Sequence, residues 1–525
     1  MTMPFPFQVP TKTKIYKEFG DVFNVKDFGA SGSALDTNGS VVSGSNIVNI
    51  DSHIDFENGQ GIAISGAGSS GSVLFTKIIA GGGTSRLIIA DNASTGVVNS
   101  LVTHDDSDAI NAAFNSIDVT RGGTVYFPDG VYLCNKPPIT TNGYNSTIML
   151  PYNAFSSVTS GPNPVTVAII GETFPAQQPS EFSPDSPTNS GVIILCTNTS
   201  AGTSWQTIIG GPSLANPTYK SVINVVVRNI IIRQPYVANY VALDLSGVEC
   251  CDIDGIICDV TAAPNSGGPP ASSANGAGVL LPYSGSSSNY GHVSITRFYI
   301  QSLGEAIMAS AHAYIDNGVI QYCYAGIYVV VGQHPIYVGK VNVERNTYDI
   351  YNGTLGTLTN TPRIYVSQLD IEPTSATSPG NRIYDPNNYL QGIVNFVMVY
   401  NNAGVSGPLP MDGGVNLRVT NLGDVGARSI TPPASPLVSG AVYQNTLGIP
   451  IKIIQGAYAT TSGTAGTVAV AVGASSTPSA IYTKQIPGST TSTASDICEV
   501  EVPPGWYYSF TTSGVTLLDA YIQGS

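Results

Sequence analysis

FYIQSLGEAIMASAHAYIDNGVIQYCYAGIYVVVGQHPIYVGKVNVERNTYDIY, residues 298–351, carries two repeats laid over one another. Ile300 in FYIQ, Ile320 in GVIQ, Val343 in NVER and, further on, Ile371 in DIEP hold one place in a short strand, separated by 20, 23 and 28 residues. A second column, Ile307 in EAIM, Ile327 in AGIY and Ile350 in YDIY, keeps the intervals of 20 and 23. Two columns that share one variable period predict coils that each contribute several strands and differ only in turn length. The reading is an all-β solenoid, a parallel β-helix.

Side chains alternate along a strand, so the residue after each inward aliphatic faces outward. That outward column reads Asp259, Gln301, Gln321, Glu344 and Glu372, and the position two residues earlier reads Ile257, Tyr299, Val319, Asn342 and Asp370. Glu344 and Glu372 are then expected about 5 Å apart on adjacent coils, and Asp370 and Glu372 about 7 Å apart on one strand. Glycoside hydrolysis needs one protonated carboxyl and one carboxylate at such spacings, and crowding of like charges raises the pKa of one of them. Asp370 and Glu372 are the expected acid/base pair, with Glu344 in support. Tyr299, Gln301, Gln321, Arg345 and Tyr348 are the expected substrate contacts, since Tyr offers an apolar face and a hydroxyl to a sugar. Tyr322, Tyr324, Tyr328, Tyr351 and Tyr365 add to that aromatic supply, and Arg345, Arg363 and Lys340 could steer an acidic sugar. The competing reading of each carboxylate is solvated surface, and of each Arg or Lys a structural ion pair.

Three earlier segments carry a family resemblance: NVKDFGASG at 24–32, HDDSDAINAAF at 104–114 and GGTVYFPDGVYLC at 122–134. Together they resemble the beginning of the pectate-lyase-like superfamily, which includes many phage tailspikes. The resemblance implies a right-handed parallel β-helix whose first segment is a strand, the second a capping helix and the third the first full coil. The residues agree. Asp105 or Asp106 can cap a helix whose apolar positions Ala109, Ile110, Ala113, Phe114 and Ile117 recur at helical spacing. Val125 and Phe127, then Val131 and Leu133, follow strand alternation on either side of a Pro-Asp-Gly turn. The resemblance also implies a homotrimer, partnership with other virion tail proteins, and a host surface polysaccharide as ligand.

The expected organisation is a lead-in segment at 1–35, an inserted small β-subdomain at 36–103, the β-helix at 104–428 and a C-terminal antiparallel β-sandwich at 429–525. Between the first glycine-rich turn and the paired aspartates, family members carry far fewer residues, which marks 36–103 as the insertion. TAAPNSGGPPASSANGAG at 261–278 reads as a loop projecting from the coil, and TPPASPLVSG as a linker into the last domain.

Charged residues make up 10% of the 525, and net charge is −14, which disfavours nucleic acid and anionic membranes and leaves neutral glycans as the easier partner. No apolar run approaches the roughly 18 residues of a membrane span, and the N-terminus has no secretory signal, so a virion or extracellular setting reached without a signal peptide is expected. Seven cysteines form neither a disulfide framework nor a zinc spacing, and Cys258 is read as a small core residue. No cofactor or metal is expected. Trp506, in PPGWYYSF, reads as core or interface before it reads as a sugar platform, and the Asn-x-Ser/Thr sites at Asn92, Asn145, Asn198 and Asn352 carry no functional signal. Two alternatives stay open: a lyase of the same fold with His312 or His334 as base, and a non-catalytic receptor-binding spike.

Overall fold

The computed structural model describes residues 21–52, 55–141, 144–151, 165–174, 191–198, 206–211, 221–235, 240–261, 276–282, 292–309, 312–329, 335–352, 362–372, 383–385, 389–398, 411–413, 417–421, 439, 441–445, 451–459, 465–486, 495–503 and 505–524. The chain divides into two compact units, Met1–Arg363 and Ile364–Ser525.

In the first unit, parallel strands stack in two ladders. One runs through Val22–Asn24, Gly123–Phe127, Val165–Gly171, Ser221–Gln234, Val248–Val260, Val293–Gln301, Ala313–Gln321 and Pro335–Glu344. The other runs through Tyr144–Met149, Gln206–Gly210, Tyr240–Asp244, Ala277–Leu280, Glu305–Ala309, Ala325–Val329 and Tyr348–Tyr351. Strands of the two ladders alternate along the chain, so each turn of chain adds one rung to each, in the right-handed sense that parallel crossovers take. These ladders form a right-handed parallel β-helix.

The repeated aliphatics are its core. Ile232, Cys258, Ile300, Ile320 and Val343 are register partners in succession, as are Ile307, Ile327 and Ile350, and all are buried. Each such side chain contributes roughly 1.5–3 kcal/mol of transfer free energy, and stacking makes the column additive along the axis. Ile371 lies outside the residues whose side chains are described.

The long strands of the first ladder are bent, which the sequence reading did not anticipate. Asn229, Gly255, Arg297 and Asn317 adopt left-handed backbone at one place in successive coils, between the pairs formed by Arg228–Asp254 and Ile230–Ile256 and their equivalents. In earlier coils the same place is a break between separate strands, Gly123–Phe127 from Gly130–Leu133 and Val165–Gly171 from Val192–Leu195; Val192–Leu195 pairs on one side with Gly130–Leu133 and on the other with the second half of Ser221–Gln234. A second left-handed corner recurs at Ser302, Tyr322 and Arg345. Each coil therefore has three faces. The first corner also corrects the expected alternation: Tyr132 and Cys134 are buried toward the core, while Leu133 and Val131 join Ile193, Leu195, Ile231 and Ile257 in an apolar cluster on the opposite face.

Helix Ser107–Asn115 covers the first coils and buries Ala109, Ile110, Ala113 and Phe114, with Ile117 just beyond it. Asp106 is its N-cap residue but makes no side-chain cap bond; instead its Oδ1 accepts the Ser31 N–H at 2.6 Å. Asp105 accepts the Ser107 N–H at 3.2 Å and the Asn135 N–H at 2.8 Å. The paired aspartates thus pin the lead-in segment and the first coil to the helix. Between them lies a closed six-stranded antiparallel barrel, Asp36–Val41, Ile47–Ile50, Gly61–Ile64, Leu74–Ala80, Arg86–Ile89 and Val97–His104, with its own buried core around Phe56, Ile62, Ile78, Leu87 and Val102.

In the second unit, Gln391–Met398 pairs in parallel with Leu417–Asn421, and Ile383–Asp385 with Met411–Gly413. Beyond them stand two antiparallel sheets, one of Val442–Gln444, Tyr507–Ser513, Gly466–Gly473 and Ala480–Ile486, the other of Ser495–Val502, Ile451–Ala459 and Val515–Gly524. A single buried cluster draws Ile453 and Val502 from one sheet and Val468, Val470, Ile486 and Phe510 from the other. The linker stretch apart from Ser439 and the loop residues 262–275 lie outside the described residues.

Candidate functional site

The second half of each long strand carries an outward polar ladder. Arg233 pairs with Asp259 and Gln301 with Gln321, which in turn pairs with Glu344; the alignment of Cys258 with Ile300 sets Asp259 beside Gln301. At about 4.8 Å per coil, the five positions span about 19 Å along the helix axis. Gln301 Nε2 donates to Asp259 Oδ1 at 3.1 Å, and Gln321 Nε2 donates to Gln301 Oε1 at 2.7 Å and to the Tyr299 hydroxyl. Tyr299 in turn donates to Gln301 Oε1 at 3.3 Å. At the far end Asn342 Nδ2 donates to Glu344 Oε1 at 2.5 Å.

Charge is distributed unevenly along this row. Asp259 sits in an outward position yet is buried, against the expectation of a solvated carboxylate, because Arg233 lies beside it: Nη2 and Oδ2 are 2.9 Å apart and both side chains are almost sealed from solvent. The Val260 N–H also reaches Asp259 Oδ1, at 2.5 Å. That end is a neutralised pair. The middle is uncharged amide and phenol, and Glu344 brings the negative charge at the other end. Burial, followed by the carboxylates of Glu344 and Asp259, pushes the Tyr299 hydroxyl well above its usual range, so it stays a hydrogen-bond donor.

Of the expected substrate contacts, the fold unites Tyr299, Gln301 and Gln321 in one network with Glu344 next in register. Arg345 occupies the second corner, where it bonds the Tyr322 hydroxyl and lies over that ring, 5.5 Å from its centroid. Tyr348 lies past the corner among Tyr324 and Tyr351, with ring centroids 5.2 Å away in each case. Asp370 and Glu372 end the strand Arg363–Glu372, and their side chains lie outside the described residues, as does His334. His312 is at a left-handed turn position. Arg233 and Asn342 were not assigned a role from sequence; tracing the polar column one coil back from Asp259 reaches the first, and the second already stood in the neighbouring outward column.

A separate charged network lies on the first half of the coils. Asp252 bonds Arg228 and accepts the Ser294 hydroxyl at 2.7 Å, while Asp254 bonds Arg297, with Nη2 at 2.6 Å, and accepts Thr296 at 3.1 Å. Burial opposes the charge on Asp252, but Ser294 and Arg228 outweigh it and hold the carboxyl below its ordinary range. Asp252, held in this way, is an acceptor and not a proton donor. Among the described residues no group of His, Cys, Asp and Glu forms a metal site.

No family model and no curated protein matches the chain. Among solved structures it is similar to ORF18 of Geobacillus virus E2, at 11% identity over 91% of this chain and 76% of that one, with a TM-score of 0.30. The tailspike protein of Acinetobacter phage vB_ApiP_P1 matches at 10% identity over 80% and 85%, TM-score 0.25. Pantoea stewartii WceF, described as a glycan biofilm modifying enzyme with a bacteriophage tailspike-like parallel β-helix fold, matches at 10% identity over 93% and 85%, TM-score 0.23. The fold rests on the strand register above, not on these likenesses.

Proposed function

We propose that this chain is a tailspike-type protein that binds a host surface polysaccharide along the outward polar ladder and hydrolyses it. The observation that carries the binding reading is the run Tyr299, Gln301, Gln321, Asn342 and Glu344. Amide and phenol groups both donate and accept, and repeat at the coil spacing, which suits the successive hydroxyls of a sugar chain better than phosphate or a hydrocarbon. The net charge of −14 opposes polyanionic nucleic acid.

Hydrolysis rests on the pair Asp370 and Glu372, alternate residues of one strand. Alternate residues of a strand lie about 7 Å apart at the backbone and face one side, which suits a pair of carboxyls of which one protonates the leaving oxygen and the other activates water. Glu344 serves substrate orientation on the ladder. Assembly as a homotrimer on a virion belongs to the same proposal.

The test is incubation of the protein, and of its Gln301→Ala/Gln321→Ala, Glu344→Gln, Asp370→Asn and Glu372→Gln variants, with neutral, uronate-bearing and sialylated bacterial polysaccharides. Reducing ends and absorbance from unsaturated products are followed together with binding. Reducing ends lost in the Asp370 and Glu372 variants support hydrolysis, and unsaturated products replace it with elimination. Binding without cleavage leaves a receptor-binding spike, and binding indifferent to the ladder variant removes the ladder from the account.

A further inference from the structure

The turn from Pro503 to Trp506 joins strand Ser495–Val502 of one antiparallel sheet to Tyr507–Ser513 of the other. Gly505 has φ +76°, and the Trp506 N–H donates to Pro503 O at 3.2 Å, the arrangement a Pro-Gly sequence favours in a type II turn. Asn445, 1% exposed, holds the turn from the neighbouring strand end. Its N–H donates to Trp506 O at 2.8 Å, its carbonyl accepts the Gly505 N–H at 2.8 Å, and its Nδ2 donates to Val502 O at 2.9 Å and Pro503 O at 3.1 Å. Gln444 Nε2 adds a bond to Gly505 O at 3.1 Å. Each of these bonds reaches turn backbone, so the turn is fixed without help from the Trp506 side chain. Trp506 reads from sequence as core or interface, yet it is 38% exposed, and among the described residues no ring or hydrogen-bonding group meets its indole. A large ring held still in water loses little freedom when a ligand covers it.

The surroundings decide which ligand. Gln444 stands opposite Tyr507, and Tyr507, Ser509 and Thr511 stand opposite Gly473, Ala471 and Ala469. Tyr508, Phe510, Val470 and Val472 alternate with them and are buried, so Gln444, Tyr507, Ser509 and Thr511 face outward. Among the described residues this outer face carries no charged side chain. A phosphate or uronate would need a cation there. A stable protein interface takes about 800 Å² per partner, and four strands of this length present a face of only about 14 Å by 20 Å. A neutral sugar needs what is present: an aromatic face for its C–H groups and uncharged donors and acceptors for its hydroxyls.

We propose that Trp506, with Gln444 and Tyr507, forms a binding site for a neutral glycan on the C-terminal antiparallel sheets. A sugar chain crosses the rim of the sheet, with one pyranose C–H face on the indole and the hydroxyls of the next residue against the Gln444 amide and the Tyr507 hydroxyl. This extends the glycan-binding reading above to the second unit, and uses neither the ladder nor Asp370 and Glu372.

The chain has two tryptophans, and Trp205→Phe makes Trp506 the sole source of indole emission. The full chain with that substitution is titrated with cellohexaose, maltohexaose, mannohexaose and, as a charged comparison, hexagalacturonate. The expected result is a saturating blue shift with at least one neutral hexasaccharide, about tenfold weaker after Tyr507→Ala and unchanged by the ladder substitutions Gln301→Ala/Gln321→Ala. Saturation-transfer NMR with that sugar, on chains that keep Trp205, should show contact in the ladder variant and none once Trp506→Ala is added. Circular dichroism checks that each variant folds. No shift with any neutral hexasaccharide, a preference for hexagalacturonate, or an NMR contact that survives Trp506→Ala in the ladder variant overturns the site. Emission that follows protein concentration and not sugar assigns Trp506 to contact with a second copy, and overturns it as well. None of these outcomes bears on polysaccharide binding by the coil, which the ladder variants test separately.

Discussion

Arg233 and Asp259 are 4% and 3% exposed and held at 2.9 Å, so each depends on the other for its charge. Removing one partner strands the other in a poorly solvated place: Asp259→Ala should cost about 3–5 kcal/mol, and the double variant Arg233→Met/Asp259→Leu distinctly less. Denaturant midpoints of the two would check this, and equal losses would mean the pair is not coupled. Three other buried acids make stability depend on pH. Burial raises Asp105 to about 6, Asp106 to about 7 and Glu305 to about 7, all above their unfolded values. The folded state then keeps protons that the unfolded state has released, so their contribution is full below about pH 4 and is lost as pH rises through the 6–7 region. For Glu305 alone the loss is about 3 kcal/mol, and Glu305→Gln should flatten the fall in melting temperature between about pH 5 and pH 8. An unchanged profile would assign the slope to the aspartates. Alternation alone located Gln301, Gln321 and Glu344, since each follows a core aliphatic. It could not reveal that Asp259 and Glu305 are sealed, because that depends on what packs over a face and not on which face a residue takes.

At the level of the strand, the spacing of Ile300, Ile320 and Val343 was enough to read the coil, because burial forces the period. The bends were illegible for the converse reason. Left-handed backbone usually announces itself through Gly or Asn, and Gly255, Asn229 and Asn317 do so, but Arg297, Tyr322 and Arg345 hold the same conformation with none of that signature. Neighbouring coils impose it on them. Asn317→Gly should therefore be neutral or stabilising by up to about 1 kcal/mol, since it relieves a left-handed strain at the price of unfolded-state entropy. Gly255→Val should cost more than about 2 kcal/mol, because its Cβ would meet Asn229 Oδ1 and Phe174 at 3.0 Å in a conformation that β-branched residues shun. Thermal melts of both variants give the signs, and a tolerated valine would show that the corner is not constrained.

For the whole molecule, the proposed three-fold assembly has a direct measure. Sedimentation equilibrium should give three times the 54.5 kDa chain mass, and a single-chain mass would withdraw the trimer. The resemblance carried by residues 24–32, 104–114 and 122–134 foretold the helix, and the extra length between the first two of them marked an inserted small β-subdomain without specifying that its strands close into a barrel. In that barrel Asp36 and Thr103 are direct partners across one antiparallel pair, so the chain departs from the coil and rejoins it at nearly a single point. A body closed on itself and joined by so narrow a neck is a cassette. Replacing it by a graft at the same two residues is expected to leave the coil its register, which thermal melts of the grafted chain would read.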